Sequence, residues 1–188
     1  MSDCILDLHS GGVEYRFRPV AGFYGGIDPT NPSYTAARVF GLPALWQLPE
    51  TPGVLSSEAR KAGKIAAGFE YLGAGQLSSA GVESYGAGVK RCLAHWGIMS
   101  PQPHANRIQS CYGGDWLMSR SSGIFVSAVD LGDAVAAGDV LARIEDVRGQ
   151  TLQEFVAPAS GVVLGLRSKA YILADAWGVL LGQKLDPA

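Results

Sequence analysis

The chain has 188 residues, 47% of them hydrophobic and only 17% charged, with 25 glycines; this length buries roughly 70% of the unfolded surface, and the composition is that of a turn-rich globular chain rather than a disordered one. Fifteen Lys and Arg against 17 Asp and Glu leave a net charge of −2, so there is no basic footprint for phosphates, which argues against nucleic acid and anionic membrane as partners. The longest uncharged apolar stretches, such as Phe155 to Leu166, contain proline and glycine and are too short for a transmembrane helix.

Cys4-Ile5-Leu6-Asp7-Leu8-His9, closed by Ser10-Gly11-Gly12, reads as a buried strand ending in a polar loop. From Arg16 to Pro32, prolines, glycines and aromatics mix without a period, which predicts a loop. Ser33 is placed to cap a helix from Tyr34 to Phe40, with Gly41 and Pro43 as its stop before a strand, Ala44 to Leu48. Ser56 or Ser57 is placed to cap a second helix, Glu58 to Ala62, and Lys64 to Glu70 follows as a strand that runs into Tyr71-Leu72-Gly73-Ala74-Gly75. After Ser78, Val82, Tyr85, Val89, Cys92, Leu93 and Trp96 recur at helical spacing up to Gly97, predicting a helix with one face on the sheet. Residues 100–122 hold prolines and paired glycines and serines, and beyond them the pattern changes to short alternating runs broken by glycines, which predicts a domain boundary near residue 112 and a small all-β barrel or sandwich after it.

Two strand ends carry residues capable of chemistry. Asp7 and His9 form an Asp-x-His pair before two glycines, in which an imidazole can bind a metal while the carboxylate supports it. A histidine in this position also serves as an ordinary structural side chain. Glu70, before its own glycine-rich turn, can act as a general base or simply brace a loop. Taken together, a ligand imidazole and a separate carboxylate are what metal-assisted hydrolysis requires. His95 and His104 read as structural or surface positions. Cys4, Cys92 and Cys111 are odd in number and lack CxxC spacing, and Asp3 sits where a basic leader region would start; reduced, buried thiols in a cytoplasmic protein are expected.

Three blocks together resemble the succinylglutamate desuccinylase and aspartoacylase group of zinc-dependent deacylases, which look like zinc carboxypeptidases with an added C-terminal β domain. Asp7-Leu8-His9-Ser10-Gly11-Gly12 is similar to the family's Asp-Leu-His-[Ser/Thr]-Gly-Gly block, whose histidine is the third zinc ligand. The resemblance gives His9 that role and Asp7 a supporting one. Glu70-Tyr71-Leu72-Gly73-Ala74-Gly75 is similar to the family's Glu-Leu-Gly-Gly-Gly-Gly block, so Glu70 inherits the role of catalytic base, with Leu72 and Ala74 standing where the family has glycines. Gly123 to Gly182 is similar to the C-terminal β domain.

The fold this implies is a zinc carboxypeptidase-like α/β half-domain over residues 1–112, followed by a small all-β domain over 113–188. The activity implied is zinc-dependent hydrolysis of the N-acyl amide bond of a small N-acylated amino acid, with one zinc in the complete enzyme. The family's other two ligands come from a His-x-x-Glu motif in an N-terminal half, and these 188 residues contain no such motif. The chain therefore reads as a C-terminal portion, a half-enzyme that needs a partner chain, or a non-catalytic interaction module, and uncovered strands invite self-association. Arg16, Arg18, Arg38 and Arg60 are candidates for a substrate carboxylate or plain surface charges. The β region is also similar to biotinyl and lipoyl carrier domains, but the segment from Glu145 to Thr151 has no lysine to carry a cofactor.

Overall fold

The computed structural model describes residues 2–103 and 110–185; the reading at His104 lies outside them. In chain order the elements are β1 (Cys4–His9), β2 (Tyr15–Phe23), α1 (Pro32–Phe40), β3 (Ala44–Gln47), α2 (Leu55–Lys61), β4 (Ile65–Gly73), α3 (Ser79–His95) and β5 (Ser110–Gly113). They continue with β6 (Trp116–Met118), β7 (Gly123–Ser127), β8 (Ala134–Val135), β9 (Val140–Glu145), β10 (Thr151–Val156), β11 (Gly161–Arg167), β12 (Tyr171–Ile172) and β13 (Trp177–Leu185).

The stretch expected as a loop from Arg16 onward begins instead with the nine-residue strand β2. Its alternation is hidden because the ladder to β4 slips between Phe17 and Val20, where Pro19 has no N–H to give. On one edge β2 pairs antiparallel with β4; on the other, Tyr15–Phe17 meet β11 and Val20–Phe23 meet β3. With β3 on β5, β5 on β13 and β13 on β11, these contacts close a five-strand barrel, β2-β3-β5-β13-β11. β1 lies beyond β4 at the sheet edge, parallel to it. The sheet thus takes strands from both sides of residue 112.

Helices cover one side of β2 and β4. Phe40 of α1 stacks on Phe69 of β4 with centroids 3.7 Å apart, inside a core with Phe23, Ala36, Ala37 and Cys92. Asn31, not Ser33, caps α1, accepting from the Ser33 N–H. Ser33 instead turns its hydroxyl inward, accepting from the Tyr24 N–H and donating to the Ala66 carbonyl. Ser56 and Ser57 lie inside α2 and are buried rather than capping it. Ser78 caps α3, accepting from the Gly81 N–H. On that helix Tyr85, Val89, Cys92 and Trp96 join the core, whereas Val82 is exposed.

A second sheet, β10-β9-β7-β12, packs Phe125, Leu141, Ile144 and Phe155 against Val163, Leu166, Val179 and Leu181 of β11 and β13. A third cluster inside the barrel, with Phe17, Val20, Trp46, Tyr112, Leu164 and Leu180, lies between the helical core and this sandwich. The β9–β10 turn is held by the Asp146 carboxylate, which accepts from the Arg148 and Gln150 N–H groups.

Candidate active site

β1 and β4 run parallel, so their carboxyl ends lie side by side, and the register pairs His9 with Glu70 and Asp7 with Gly68. Side chains two apart on a strand share a face, which puts Asp7 and His9 on one strand and Glu70 on the next around a common cavity. The cavity has a volume of about 350 Å³, and Asp7, His9, Gly22, Gly68 and Glu70 all line it. Gly22 and Gly68 are register partners across β2 and β4. A Cβ at Gly22 would lie 2.7 Å from Leu48 Cδ1, so glycine there lets Leu48 pack against the strand.

Each functional side chain is held in place. His9 Nε2 lies 2.9 Å from Asp7 Oδ1, and the His9 carbonyl accepts from the Tyr85 hydroxyl at 2.6 Å. Burial works against the imidazolium, but the Asp7 hydrogen bond and the charges of Asp7 and Glu70 outweigh it and raise the His9 pKa. Glu70 Oε2 accepts from the Gly11 N–H at 2.8 Å. Burial, with the nearby Asp7 charge, pushes the Glu70 carboxyl up to about 7 against the opposing pull of Gly11 and His9. A carboxyl poised there can both take and return a proton near neutral pH.

The backbone around Glu70 is unusual. Gly11 has φ +63, and a Cβ on it would lie 2.5 Å from the Tyr15 carbonyl oxygen, so only glycine presents its N–H here. Leu72 and Ala74, at φ 53 and 56, hold the left-handed conformation despite their side chains.

No protein-family model matches the chain. N-alpha-acetyl-L-2,4-diaminobutyric acid deacetylase of Halomonas elongata is 27% identical over 92% of this chain and 54% of its own length. The product-bound ectoine utilization protein EutE (DoeB) of Ruegeria pomeroyi superposes with a TM-score of 0.84 at 26% identity, covering 97% of this chain and 58% of that one. A succinylglutamate desuccinylase/aspartoacylase of Rhodobacter sphaeroides shares the fold, with a TM-score of 0.85 at 20% identity over 99% of this chain and 60% of that one. In sequence the chain is similar to the deacetylase, and in fold it is similar to solved members of the succinylglutamate desuccinylase/aspartoacylase family. It spans a little over half the length of these relatives.

The structure brings His9, Asp7 and Glu70 to one cavity. The arginine candidates do not line it: Arg16 pairs with Asp130, Arg60 with Glu50, and Arg38 lies over the Tyr34 ring. His95 is exposed near the end of α3. Cys92 donates to the Ala36 carbonyl, and burial raises the thiol pKa of Cys92 and Cys111. Sequence reasoning missed Tyr85 as the anchor of His9, and it missed Asp115, Trp116 and Trp177, which join the cavity lining. Only for Tyr85 was there a signal, its place on the predicted helix face. Among the described residues no helix is long and apolar enough to cross a membrane.

Proposed function

We propose that this chain carries the C-terminal portion, zinc carboxypeptidase-like in its α/β part, of a cytoplasmic zinc-dependent deacylase that hydrolyses the N-acyl amide of a small N-acylated amino acid. The observation that supports this best is the pairing of His9 and Glu70 at adjacent strand ends over one cavity. The names of the relatives, a deacetylase of an N-acetylated diamino acid among them, point the same way.

Amide hydrolysis needs a group that takes a proton from the attacking water and delivers one to the departing nitrogen. Glu70 performs both transfers, oriented by the Gly11 N–H. Asp7 holds the His9 ring through Nε2 and Tyr85 holds its backbone. A catalytic zinc ordinarily takes three protein ligands, and among the described residues no three His, Cys, Asp or Glu side chains gather to hold one. The described residues alone therefore do not fit the metal; His9 contributes one ligand, and the others come from outside them. This shortfall favours a second reading, a half-enzyme or interaction module that acts with a partner chain.

Elemental analysis of the purified chain with added zinc, beside a His9→Ala variant, tests the metal reading, and hydrolysis of N-acetyl amino acids beside Glu70→Gln tests the chemistry. Zinc bound and lost in His9→Ala, with hydrolysis lost in Glu70→Gln, supports the deacylase. Hydrolysis that is unchanged in Glu70→Gln overturns it, and zinc binding that is unchanged in His9→Ala removes His9 from the metal site.

A further inference from the structure

A strip of bare backbone crosses the cavity. The register runs from Asp7 on β1 to Gly68 on β4, to Gly22 on β2 and to Trp46 on β3, so two adjacent glycines separate the Asp7 and Glu70 side from Trp46. The cavity's volume of about 350 Å³ is at the small end of ligand sites.

Apart from Asp7, His9 and Glu70, the walls are mostly carbon. Phe17, Trp46, Trp116 and Trp177 line them, with Phe17 and Trp116 edge to face at 5.5 Å and Trp116 stacked on Trp177 at 5.2 Å. The polar groups among them are already engaged: the Trp46 indole N–H donates to the Gly114 carbonyl at 3.0 Å, and the Tyr24 and Ser56 hydroxyls bond to each other at 2.8 Å. Asp115 is exposed and accepts from the Trp116 N–H.

Leu48 divides this space. Its side chain lies over Gly22, where a Cβ would meet Cδ1, Cγ and Cδ2 at 2.7, 2.9 and 3.1 Å, whereas a Cβ at Gly68 would come no nearer to any listed atom than 3.9 Å, again Leu48 Cδ1. The room above Gly68, two residues from Glu70, is therefore open, and Leu48 stands between it and Trp46. The Leu48 N–H donates to the Phe23 carbonyl at 2.8 Å, which fixes the backbone from which this side chain projects. The amino-acid half of an N-acyl amino acid carries a carboxylate beside its nitrogen and favours water, whereas an alkanoyl half brings only carbon beyond its carbonyl and gains from such walls.

We propose that this cavity takes an N-acyl amino acid whose acyl group is a short, uncharged alkanoyl chain longer than acetyl, laid over Gly68, and that Leu48 sets the chain length by closing the strip at Gly22. This rests on the deacylase reading of the same cavity.

The test is titration of the full chain with N-butanoylglycine, N-acetylglycine, N-succinylglycine and N-acetylleucine, following the four tryptophan indole N–H signals by NMR. The expected result is binding of butanoylglycine about tenfold tighter than acetylglycine, the size of two buried methylenes, with succinylglycine, which ends the same chain in a carboxylate, and acetylleucine, which carries its carbon on the other half, both weaker than butanoylglycine. A Cβ at Gly68 meets only an ordinary contact, so Gly68→Ala keeps the fold while the preference for butanoyl over acetyl shrinks to within about twofold. Leu48→Ala opens the strip and binds N-hexanoylglycine about tenfold tighter than the native chain does. Equal binding of butanoylglycine and acetylglycine, a preference for succinylglycine or acetylleucine, no binding by any of the four, an unchanged preference in Gly68→Ala, or no gain for hexanoylglycine in Leu48→Ala overturns the proposal. Preferred hydrolysis of succinylglycine would sink this subsite and leave the deacylase reading standing. Selective butanoylglycine binding without hydrolysis at any zinc concentration would do the reverse.

Discussion

His9 and Glu70 are register partners across the parallel β1–β4 ladder, although 60 residues of intervening chain form β2, both short helices and β3. Parallel pairing puts both strand ends at the same edge of the sheet, so the imidazole and the carboxyl reach the cavity from neighbouring backbones. Their coupled electrostatics yield measurable consequences.

In chelated, metal-free protein the raised Glu70 pKa makes stability depend on pH. The folded state holds the Glu70 proton more tightly than the unfolded state does, so this contribution is fully present below the ordinary carboxyl range and is lost as pH rises through about 7. Glu70→Gln removes that loss and keeps an acceptor for the Gly11 N–H. The variant is expected to be about 2 kcal/mol more stable than the native chain at pH 8 and to show a flatter urea midpoint between pH 5 and 8. Parallel pH profiles for the two proteins would rule this out.

Asp7→Asn removes the charge that favours the His9 imidazolium while keeping an oxygen that can accept from the ring. The His9 pKa falls, and histidine ring-proton NMR titration of the metal-free chain reads the change directly. An unmoved His9 titration contradicts the pairing.

Gly88 on α3 faces the Phe40 ring, and a Cβ there would lie 2.5 Å from Cε1. Phe40 is fully buried and stacked on Phe69, so it has nowhere to move. Gly88→Ala gains up to about 1 kcal/mol in helix propensity, yet overpacking costs about 1–3 kcal/mol. A net loss of stability, read by denaturant unfolding, is the expected outcome; stabilisation would show that the α1–α3 contact yields.

Ala74 occupies the left-handed region at φ 56. Glycine adopts that conformation without the Cβ clash, although it is more flexible when unfolded. Ala74→Gly is expected to stabilise the chain by about 0.5–1 kcal/mol, measured by thermal unfolding, without altering the Glu70–Gly11 contact.

β1 is an edge strand, and Leu8 on it is 44% exposed. An unpaired edge with apolar side chains pairs with other chains. Sedimentation of the isolated chain is expected to show concentration-dependent association that Leu8→Lys reduces; a monodisperse monomer at all concentrations counts against it.

Much of this protein was legible in its residue order. The apolar runs that end in Asp7-x-His9 and in Glu70, each followed by glycines, identified β1 and β4 and both candidate groups, because an apolar run closed by a polar residue and glycines is a local signal of a strand end. The α3 face was visible from the helical spacing of Tyr85, Val89, Cys92 and Trp96. β2 was not visible: Arg16, Arg18, Pro19 and Gly22 break the alternation, and ladders to β4, β3 and β11 overrule local preference. Ser33, Ser56 and Ser57 looked like caps because capping chemistry is local, whereas burial turned them to other uses. The sequence by itself determined which groups could do chemistry and which strand ends present them. Only the tertiary structure decided that those ends are neighbours, that the barrel closes through β2, and that Asp115, Trp116 and Trp177 meet the same cavity, because contacts between residues far apart in the chain are made by strand pairing that no local pattern encodes.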